Sequence, residues 1–423
     1  MERSTSAEGV VGKSTTNRFG FVMHPLTVDY VQRHRALRWT RHLPRPFVER
    51  MAARLPALEV GSVRGGISPE TGQAIQGYLF SIGATPRQML TRPPAFTYAR
   101  LNQAARRAAA RGAGILGLGA FTKVVGDAGI TVAREAPIPV TTGNSLTISA
   151  TLETAKVAAK RLGWPDLGRG RAMVVGATGA IGSVCARLLA TAVKDVVLVS
   201  IEPERLEALR GRILQDQPDA RVEIDLTTHR WVGECDLIVT ATSAFGQRVL
   251  DISECKPGAV VLDVALPPDL SAEEAALRPD VLVIESGEVL IPGPVHFSFD
   301  IGLPQGVAYA CLAESALLAM EGRFECFTLG RDIELEKVKE IYRLFRRHGF
   351  GIAPLRSFGR LLTDELLVEK RGLAEALLAD PGRLAAVRAE ARSRLKAIPP
   401  RSKGVPATTV PAPAHPLAAT SAG

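Results

Sequence analysis

The stretch Gly176-Ala177-Thr178-Gly179-Ala180-Ile181-Gly182 decides the fold, because it directly follows an apolar, strand-like run and opens a predicted helix. Glycine at the first, fourth and seventh positions allows a tight turn, a close approach of the backbone to a pyrophosphate, and close packing of helix against strand. The amides at the start of the helix would then face the phosphates. We therefore predict that residues 176–182 bind a nicotinamide dinucleotide.

The segments around this loop alternate between strand and helix. The predicted strands are short, rich in Val, Ile and Leu, and mostly separated by helix-length segments, as buried parallel strands are. They cover residues 172–175, 196–200, 222–224, 237–241, 260–264 and 281–285. This pattern predicts an α/β fold with a Rossmann-like doubly wound parallel sheet.

The chain has 423 residues, of which 46% are hydrophobic and 22% charged, so a single small module and disorder as the main state are both excluded. We expect an N-terminal mixed α/β domain over 18–143 and a connecting helix over 144–168. A dinucleotide-binding domain over 169–303 and C-terminal helices over 304–398 follow. Residues 1–17 and 399–423 are rich in Ser, Thr, Pro and Ala, and are predicted to be disordered tails.

Further cofactor contacts are expected at the carboxyl ends of the strands, where ligands of such sheets bind. After the second strand, Glu202 would accept from a free ribose 2′-hydroxyl, whereas Ser200 and Arg205 would hold a 2′-phosphate. The residues alone therefore leave NADH and NADPH open. The other contacts predicted at strand ends are Thr242, Ser243 and Asp263. For Asp263, a loop or helix cap is an equally good interpretation.

Cys311 is the most informative of five cysteines, which contain no C-x-x-C pair and predict neither disulfides nor a metal site. It lies in the first turns of a helix predicted over 305–320, where the helix dipole stabilises a thiolate nucleophile. The competing interpretation is that Cys311 is an inert thiol on the buried stripe of that helix.

Two histidines are candidate proton donors. His296 shortly precedes the helix of Cys311, and His24 lies in the N-terminal domain. A structural role is the alternative for both. Thr142, Gly143 and Asn144 precede the connecting helix, and they or the amides near Cys311 would stabilise an oxyanion.

The net charge of +9 is uneven, with 14 Lys and Arg against 6 Asp and Glu between residues 341 and 403, and a second basic stretch over 33–54. Such patches attract an acidic partner, although solvated helix faces are the alternative. Nucleic acid is not expected, because no motif for it occurs. We find neither a membrane-spanning run nor a secretory signal, so we expect a cytoplasmic protein, with peripheral membrane association left open.

Several separate motifs, in order, resemble the long-chain acyl-acyl-carrier-protein reductases of the cyanobacterial alkane pathway. They are residues 19–27, 116–125, 141–144, 176–183, the pattern Ala310-Cys311-Leu312-Ala313-Glu314, and 324–350, so that the resemblance covers about 18–354. It implies that Cys311 takes an acyl group from acyl carrier protein or coenzyme A. It also implies that NADPH, with NADH as the alternative, reduces the thioester to a fatty aldehyde.

The function predicted is therefore NAD(P)H-dependent reduction of a long-chain acyl thioester through a cysteine acyl-enzyme. One alternative is a dehydrogenase of a small hydroxy or keto acid that uses Lys123 as its base. A second alternative is a dinucleotide-binding protein without catalytic activity, whose basic C-terminal helices bind a partner.

Overall fold

The computed structural model describes residues 16–400, except 34, 124, 165–166 and 245–246. The two predicted tails lie almost wholly outside these residues, and at the inner end of the first one Asn17 already begins a strand. No helix in the described ranges is long and apolar enough to cross a bilayer.

The N-terminal region forms a mixed sheet around one buried strand. Its elements are β1 (Asn17–Met23), α1 (Val28–Arg33), a 3₁₀ helix (Arg35–His42), α2 (Arg45–Ala52), β2 (Leu58–Ile67), β3 (Ala74–Ser81), α3 (Pro86–Leu90), α4 (Pro94–Ala110), β4 (Ile115–Leu118), a 3₁₀ helix (Ala120–Lys123), α5 (Ile130–Glu135) and β5 (Val140–Thr141). β1 is parallel to β3 and β4, β4 is parallel to β5, and β2 is antiparallel to β3. The mixed α/β character predicted for this region is confirmed.

A long helix, α6 (Asn144–Arg161), leads from this sheet into the second one. The second sheet and the helices that connect its strands are β6 (Arg171–Val175), α7 (Ala180–Leu189), β7 (Asp195–Val199), α8 (Pro203–Asp216), β8 (Arg221–Asp225), β9 (Leu237–Thr240), β10 (Val260–Asp263), α9 (Ala272–Ala275) and β11 (Leu282–Glu285). A 3₁₀ turn at Leu167–Arg169 precedes β6, and another at Ile252–Glu254 precedes β10. All neighbours are parallel, in the order β11-β10-β9-β6-β7-β8. This is the doubly wound sheet that the sequence predicts.

The rest of the chain packs across both sheets. It forms β12 (Glu288–Leu290), β13 (His296–Phe297), β14 (Val307–Tyr309), α10 (Ala310–Glu321), α11 (Leu335–Arg347), β15 (Gly351–Ile352), β16 (Arg356–Ser357), β17 (Arg360–Leu361), α12 (Asp364–Ala379) and α13 (Pro381–Ala397). β13 returns to the N-terminal sheet, antiparallel to β2. α10 is buried along nearly its whole length and shares a hydrophobic cluster with β1.

The region 304–398, predicted to be helical, contains four helices and also four short strands. Residues Val307–Tyr309 pair as β14 with β12, so the helix that carries Cys311 begins at Ala310 and not near 305. The two strands β16 and β17 form a further hairpin before α12. These pairings join residues distant in sequence, and local helical periodicity does not reveal them.

Candidate functional site

The glycine loop between β6 and α7 closes tightly upon itself. Gly176 has φ +82°, and a Cβ there would lie 2.7 Å from the carbonyl oxygen of Ala241. A Cβ on Gly182 would lie 2.2 Å from the carbonyl oxygen of Gly176. Only glycine fits either position, and the start of α7 stays open to a ligand. This backbone cradle fits the pyrophosphate of a nicotinamide dinucleotide, phosphorylated or not at its ribose.

One cavity of about 1770 Å³ joins the glycine loop to Cys311. Its walls come from both sheets and from the segment that precedes α10. The residues predicted from sequence that line it are Gly176, Thr178, Gly179, Ala180, Ile181, Ser200, Glu202, Arg205, Thr242, Ser243, Asp263, His24, Lys123, Asn144 and Cys311. Ala177, Gly182, Thr142 and Gly143 lie behind the wall and shape it, while His296 is not part of it.

At the adenosine end, Glu202 is already engaged by its neighbours. Arg205 Nη1 donates to both carboxylate oxygens of Glu202, at 2.9 and 3.1 Å, and the hydroxyl of Thr178 also donates to Glu202. Hydrogen bonds from Thr178 and Arg205, together with the charges of Arg205 and Arg331, lower the pKa of Glu202. The carboxylate thus stays ionised, with the Ser200 hydroxyl 2.6 Å from that of Thr178.

Two polar residues at the strand ends hold loops. Asp263 accepts from the amides of Ala265 and Leu270, at 3.1 and 2.9 Å. The amide and hydroxyl of Thr242 donate to Asp269. The structure therefore agrees with the loop-cap interpretation of Asp263, and both residues hold the loops that follow β9 and β10.

Cys311 is the second residue of α10 and is 8% exposed, toward the cavity. It directly abuts the start of α6, because a Cβ on Gly143, which has φ +71°, would lie 2.3 Å from the Cα of Cys311. Two helix N-termini therefore meet at the thiol. The dipoles of the two helices create a positive potential there, which favours an anion.

Asn144, the first residue of α6, adds an open acceptor to this corner. It is 4% exposed and lines the cavity, and its Oδ1 has no hydrogen-bond partner among the described residues. A buried acceptor without a partner is costly unless a donor completes it. Of the predicted group 142–144, Asn144 is the residue that lines the cavity.

The fully buried carboxyl of Glu314 in α10 joins the N-terminal turns of α6 and α10 by hydrogen bonds. It accepts from the amide of Leu146 in α6 at 2.8 Å and from the hydroxyls of Thr141 and Thr328. Burial raises the pKa of Glu314, while these hydrogen bonds and Lys123 oppose the rise. Glu314 belongs to the Ala310–Glu314 pattern quoted above. Its place one helical turn after Cys311 was the feature of the sequence that could have identified it as a residue of this site.

The structure corrects the two histidine candidates. His296 is exposed on β13, where it pairs with Arg64 of β2 outside the cavity wall, which contradicts a role as proton donor at Cys311. His24 does line the cavity, but its Nε2 accepts from the amide of Phe121 at 3.1 Å and its Nδ1 lies 3.1 Å from the carbonyl oxygen of Pro25. Burial lowers the pKa of His24 to about 4, so it is a neutral structural residue.

A carboxyl that sequence reasoning missed lies on the same wall as Cys311. Glu288 is 9% exposed and pairs across the strands with Tyr309, two residues before the thiol. Arg356 Nη1 stands 3.9 Å from its Oε2. Burial raises the pKa of Glu288 to about 7, with Arg356 opposing and Glu285 adding to the rise. No local motif surrounds Glu288, so only the tertiary structure identifies it.

No family model matches the chain, and the known proteins to which it is similar include an aminotransferase and a reductase. It is 34% identical to the aminotransferase PigE of Serratia over 61% of this chain, but it spans only 30% of the length of PigE. It is 29% identical to the long-chain acyl-[acyl-carrier-protein] reductase of Synechococcus elongatus, over 67% of this chain and 84% of that protein.

Solved structures that are similar in fold include two dehydrogenases. The L-tryptophan dehydrogenase of Nostoc punctiforme matches 90% of this chain and 89% of its own, at 13% identity and a TM-score of 0.36. The quinate dehydrogenase of Corynebacterium glutamicum, in complex with NAD, matches 78% of this chain and 99% of its own, at 12% identity and a TM-score of 0.35.

Replacing Gly182 with Ala should weaken dinucleotide binding by at least about tenfold, because the new Cβ displaces the carbonyl of Gly176 and opens the cradle. Titration with NADPH and NADH, followed by fluorescence, measures the effect. Thermal unfolding in parallel separates lost binding from a lost fold. The control is Gly211→Ala in α8, where a Cβ meets nothing within 4 Å. Equal affinities in both variants would refute the cradle.

Glu314→Gln should lower the free energy of unfolding by about 1–3 kcal/mol. The Gln side chain has one oxygen where Glu314 has two, so one buried donor loses its acceptor. Denaturant unfolding at neutral pH measures this difference. Glu336→Gln, at an exposed position on α11, serves as the control and should change stability by less than about 0.5 kcal/mol. A stability loss no greater than that of the control would contradict the role assigned to Glu314.

Proposed function

We propose that this protein uses a nicotinamide dinucleotide to reduce a long-chain acyl thioester to a fatty aldehyde, through an acyl-enzyme on Cys311. One observation carries the proposal: Cys311, at the meeting point of two helix N-termini, lines the same cavity as the glycine loop. A nucleophile and a hydride donor can therefore act on one bound acyl group. The similarity to the acyl-[acyl-carrier-protein] reductase of Synechococcus elongatus supports the substrate class.

The chemistry has two halves on the same sulfur. The Cys311 thiolate attacks the thioester carbonyl, the carrier thiol leaves, and the acyl group stays bound to the sulfur. When bound, the nicotinamide supplies a hydride to this acyl group. Collapse of the resulting thiohemiacetal releases the aldehyde and returns the thiolate. The backbone amides of Cys311 and Leu312 in the first turn of α10, with the Nδ2 group of Asn144 as a further donor, stabilise the oxyanion in both halves.

The acyl chain lies against an apolar wall beside Cys311. The residues of this wall share one hydrophobic cluster with the thiol and line the cavity: Phe21, Met23, Val60, Phe299 and Ile301. A fatty chain there is removed from water, and water is kept from the acyl-enzyme.

The carrier docks on the helical cap, which we define as α1, the 3₁₀ helix at Arg35–His42 and α2. Its inner residues, including Tyr30 and Ala52, line the cavity.

The two acidic residues of the helical cap are already paired, Asp29 with Arg45 and Glu49 with Arg87. Three further exposed arginines, Arg38, Arg41 and Arg50, leave the cap positive. An acidic carrier protein or coenzyme A would be steered to this end of the cavity.

The basic C-terminal helices have a different task. Arg388 donates to the carbonyl of Glu254, and Arg392 pairs with the Glu254 side chain. Lys370 donates to the carbonyls of Pro279 and Val281. Part of the charge surplus of α12 and α13 therefore fastens these helices to the dinucleotide-binding sheet. We assign carrier steering to the cap instead.

NADPH is the favoured cofactor and NADH is the alternative. Arg205 and Arg331 both line the adenosine end of the cavity, and Glu202 is neutralised by Arg205, so the corner accommodates a 2′-phosphate. We place the reaction in the cytoplasm, where thiols remain reduced. All five cysteines are unpaired thiols.

The dehydrogenase alternative keeps one supporting observation. Lys123 lines the cavity, and its Nζ donates to the carbonyl of Thr142 at 3.3 Å. A cation therefore lies near the N-terminus of α6. Such an enzyme would oxidise hydroxy acids without Cys311. Substrate oxidation that survives Cys311→Ser would establish this alternative.

Incubation with palmitoyl-coenzyme A, without dinucleotide, should add one acyl group to the wild-type protein and none to Cys311→Ser. The physical reason is that only the thiol at the two helix starts faces the cavity. Intact-mass spectrometry and peptide mapping measure the adduct. The matched control is Cys326→Ser, which removes an exposed thiol and should acylate normally. A label on Cys326, or one that persists in Cys311→Ser, would overturn the proposal.

Replacing Arg38, Arg41 and Arg50 together with Gln should raise KM for acyl carrier protein about threefold to tenfold, with kcat nearly unchanged. Steering is lost, and the remaining salt dependence of kcat/KM should flatten. A matched triple on α13, Arg383, Arg394 and Lys396 to Gln, removes as much exposed charge far from the cavity mouth. If this second variant shows the larger effect, the carrier docks on the C-terminal helices.

A further inference from the structure

The acylation step has to move one proton. A thiol attacks as its thiolate and so gives up a proton first, and the departing carrier thiolate must gain one. A carboxyl of suitable pKa in the same cavity would do both, and the structure contains one that the steps above do not use.

We propose that Glu288 is the general base and acid of the acyl transfer. This inference rests on the proposed function. Glu288 takes the proton of the Cys311 thiol through cavity water, the sulfur–carbonyl bond forms, and the bond from the carbonyl to the carrier sulfur breaks. Glu288 then returns the same proton to the carrier thiolate, so charge and atoms balance without a further reactant.

The strand pairing places Glu288 opposite the residue that lies two positions before Cys311. In the antiparallel pair of β12 and β14, Glu288 stands directly opposite Tyr309, and the amide of Ala310 donates to the carbonyl of Gly287 at 2.7 Å. Cys311 is the next residue in α10. Glu288, Tyr309 and Cys311 all line the same cavity.

Tyr309 lines the cavity together with Glu288 and Cys311. Burial raises the pKa of Tyr309, and the charges of Glu288, Tyr30, Glu285 and Cys311 add to the rise. The phenol therefore stays protonated and neutral. Because Glu288 and Cys311 line one cavity, water within it can carry a proton between them.

The surroundings hold Glu288 in the range where it can both take and give a proton. Among the described residues, the charged and titratable groups that face it are Arg356 of β16, Glu285 of β11 and Tyr309 of β14. Arg356 alone would keep the carboxyl ionised, whereas burial and Glu285 oppose ionisation. A base whose pKa of about 7 matches the ambient pH is the most efficient proton carrier.

Glu288→Gln tests the assignment, with the rate of acyl-adduct formation as its readout. The rate is measured with palmitoyl-coenzyme A between pH 5.5 and 8.5, in reactions quenched at successive times. The wild-type rate of adduct formation should fall as the pH drops through about 7, where Glu288 becomes protonated. In Glu288→Gln, the rate at pH 8 should fall by about 100-fold or more, and the inflection near pH 7 should vanish. Glu288→Asp should restore part of the rate and a pH inflection.

The matched control is Glu153→Gln on α6, a partly buried carboxyl that accepts from Lys156 and Tyr342 away from the cavity. It should keep both the rate and the pH profile. A Glu288→Gln variant that is folded, binds NADPH and retains the wild-type profile would overturn the role of Glu288. If the wild-type protein itself forms no adduct, the proposed function fails instead, so the two failures are distinguishable.

Discussion

The buried carboxyl of Glu314 is the constraint on which the site depends. It satisfies the amide of Leu146 near the start of α6 while it belongs to α10, so the N-termini of two helices are held side by side. Two such ends repel each other unless something negative or polar lies between them. Glu314 supplies this compensation on the buried side, which leaves the positive potential of the helix ends on the cavity side, where Cys311 lies.

Gly143 is the steric counterpart of that electrostatic link. Any side chain at this position would occupy the space of the Cys311 backbone. Because Gly143 also takes a positive φ of +71°, the turn from β5 into α6 brings Asn144 to the thiol with little strain. The position of Cys311 is therefore set by close contact between the backbones of two helix starts, and not by a loop. Rigid first contacts of this kind are what an enzyme needs to stabilise a transition state.

The sequence predicted what depends on local pattern. Each of the six buried strands lies within one residue of its predicted bounds, because apolar runs and glycine turns are local signals. The start of α10 was misplaced, since β14 forms only by pairing with β12. His296 looked close to Cys311 along the chain, yet β13 carries it to the far edge of the other sheet. Glu288 had no signal at all, because its burial arises from three segments meeting.

The arrangement also explains why the cavity needs both halves of the molecule. The dinucleotide-binding sheet provides the cradle, but the apolar wall, the cap and Asn144 come from the N-terminal region, and α6 joins the two. Along this helix, the end at Cys311 is anchored by Glu314 and the middle packs against α10 and α11. A displacement of either sheet would change the distance from the glycine loop to the sulfur. α6 therefore acts as a spacer that sets the distance between the glycine loop and Cys311.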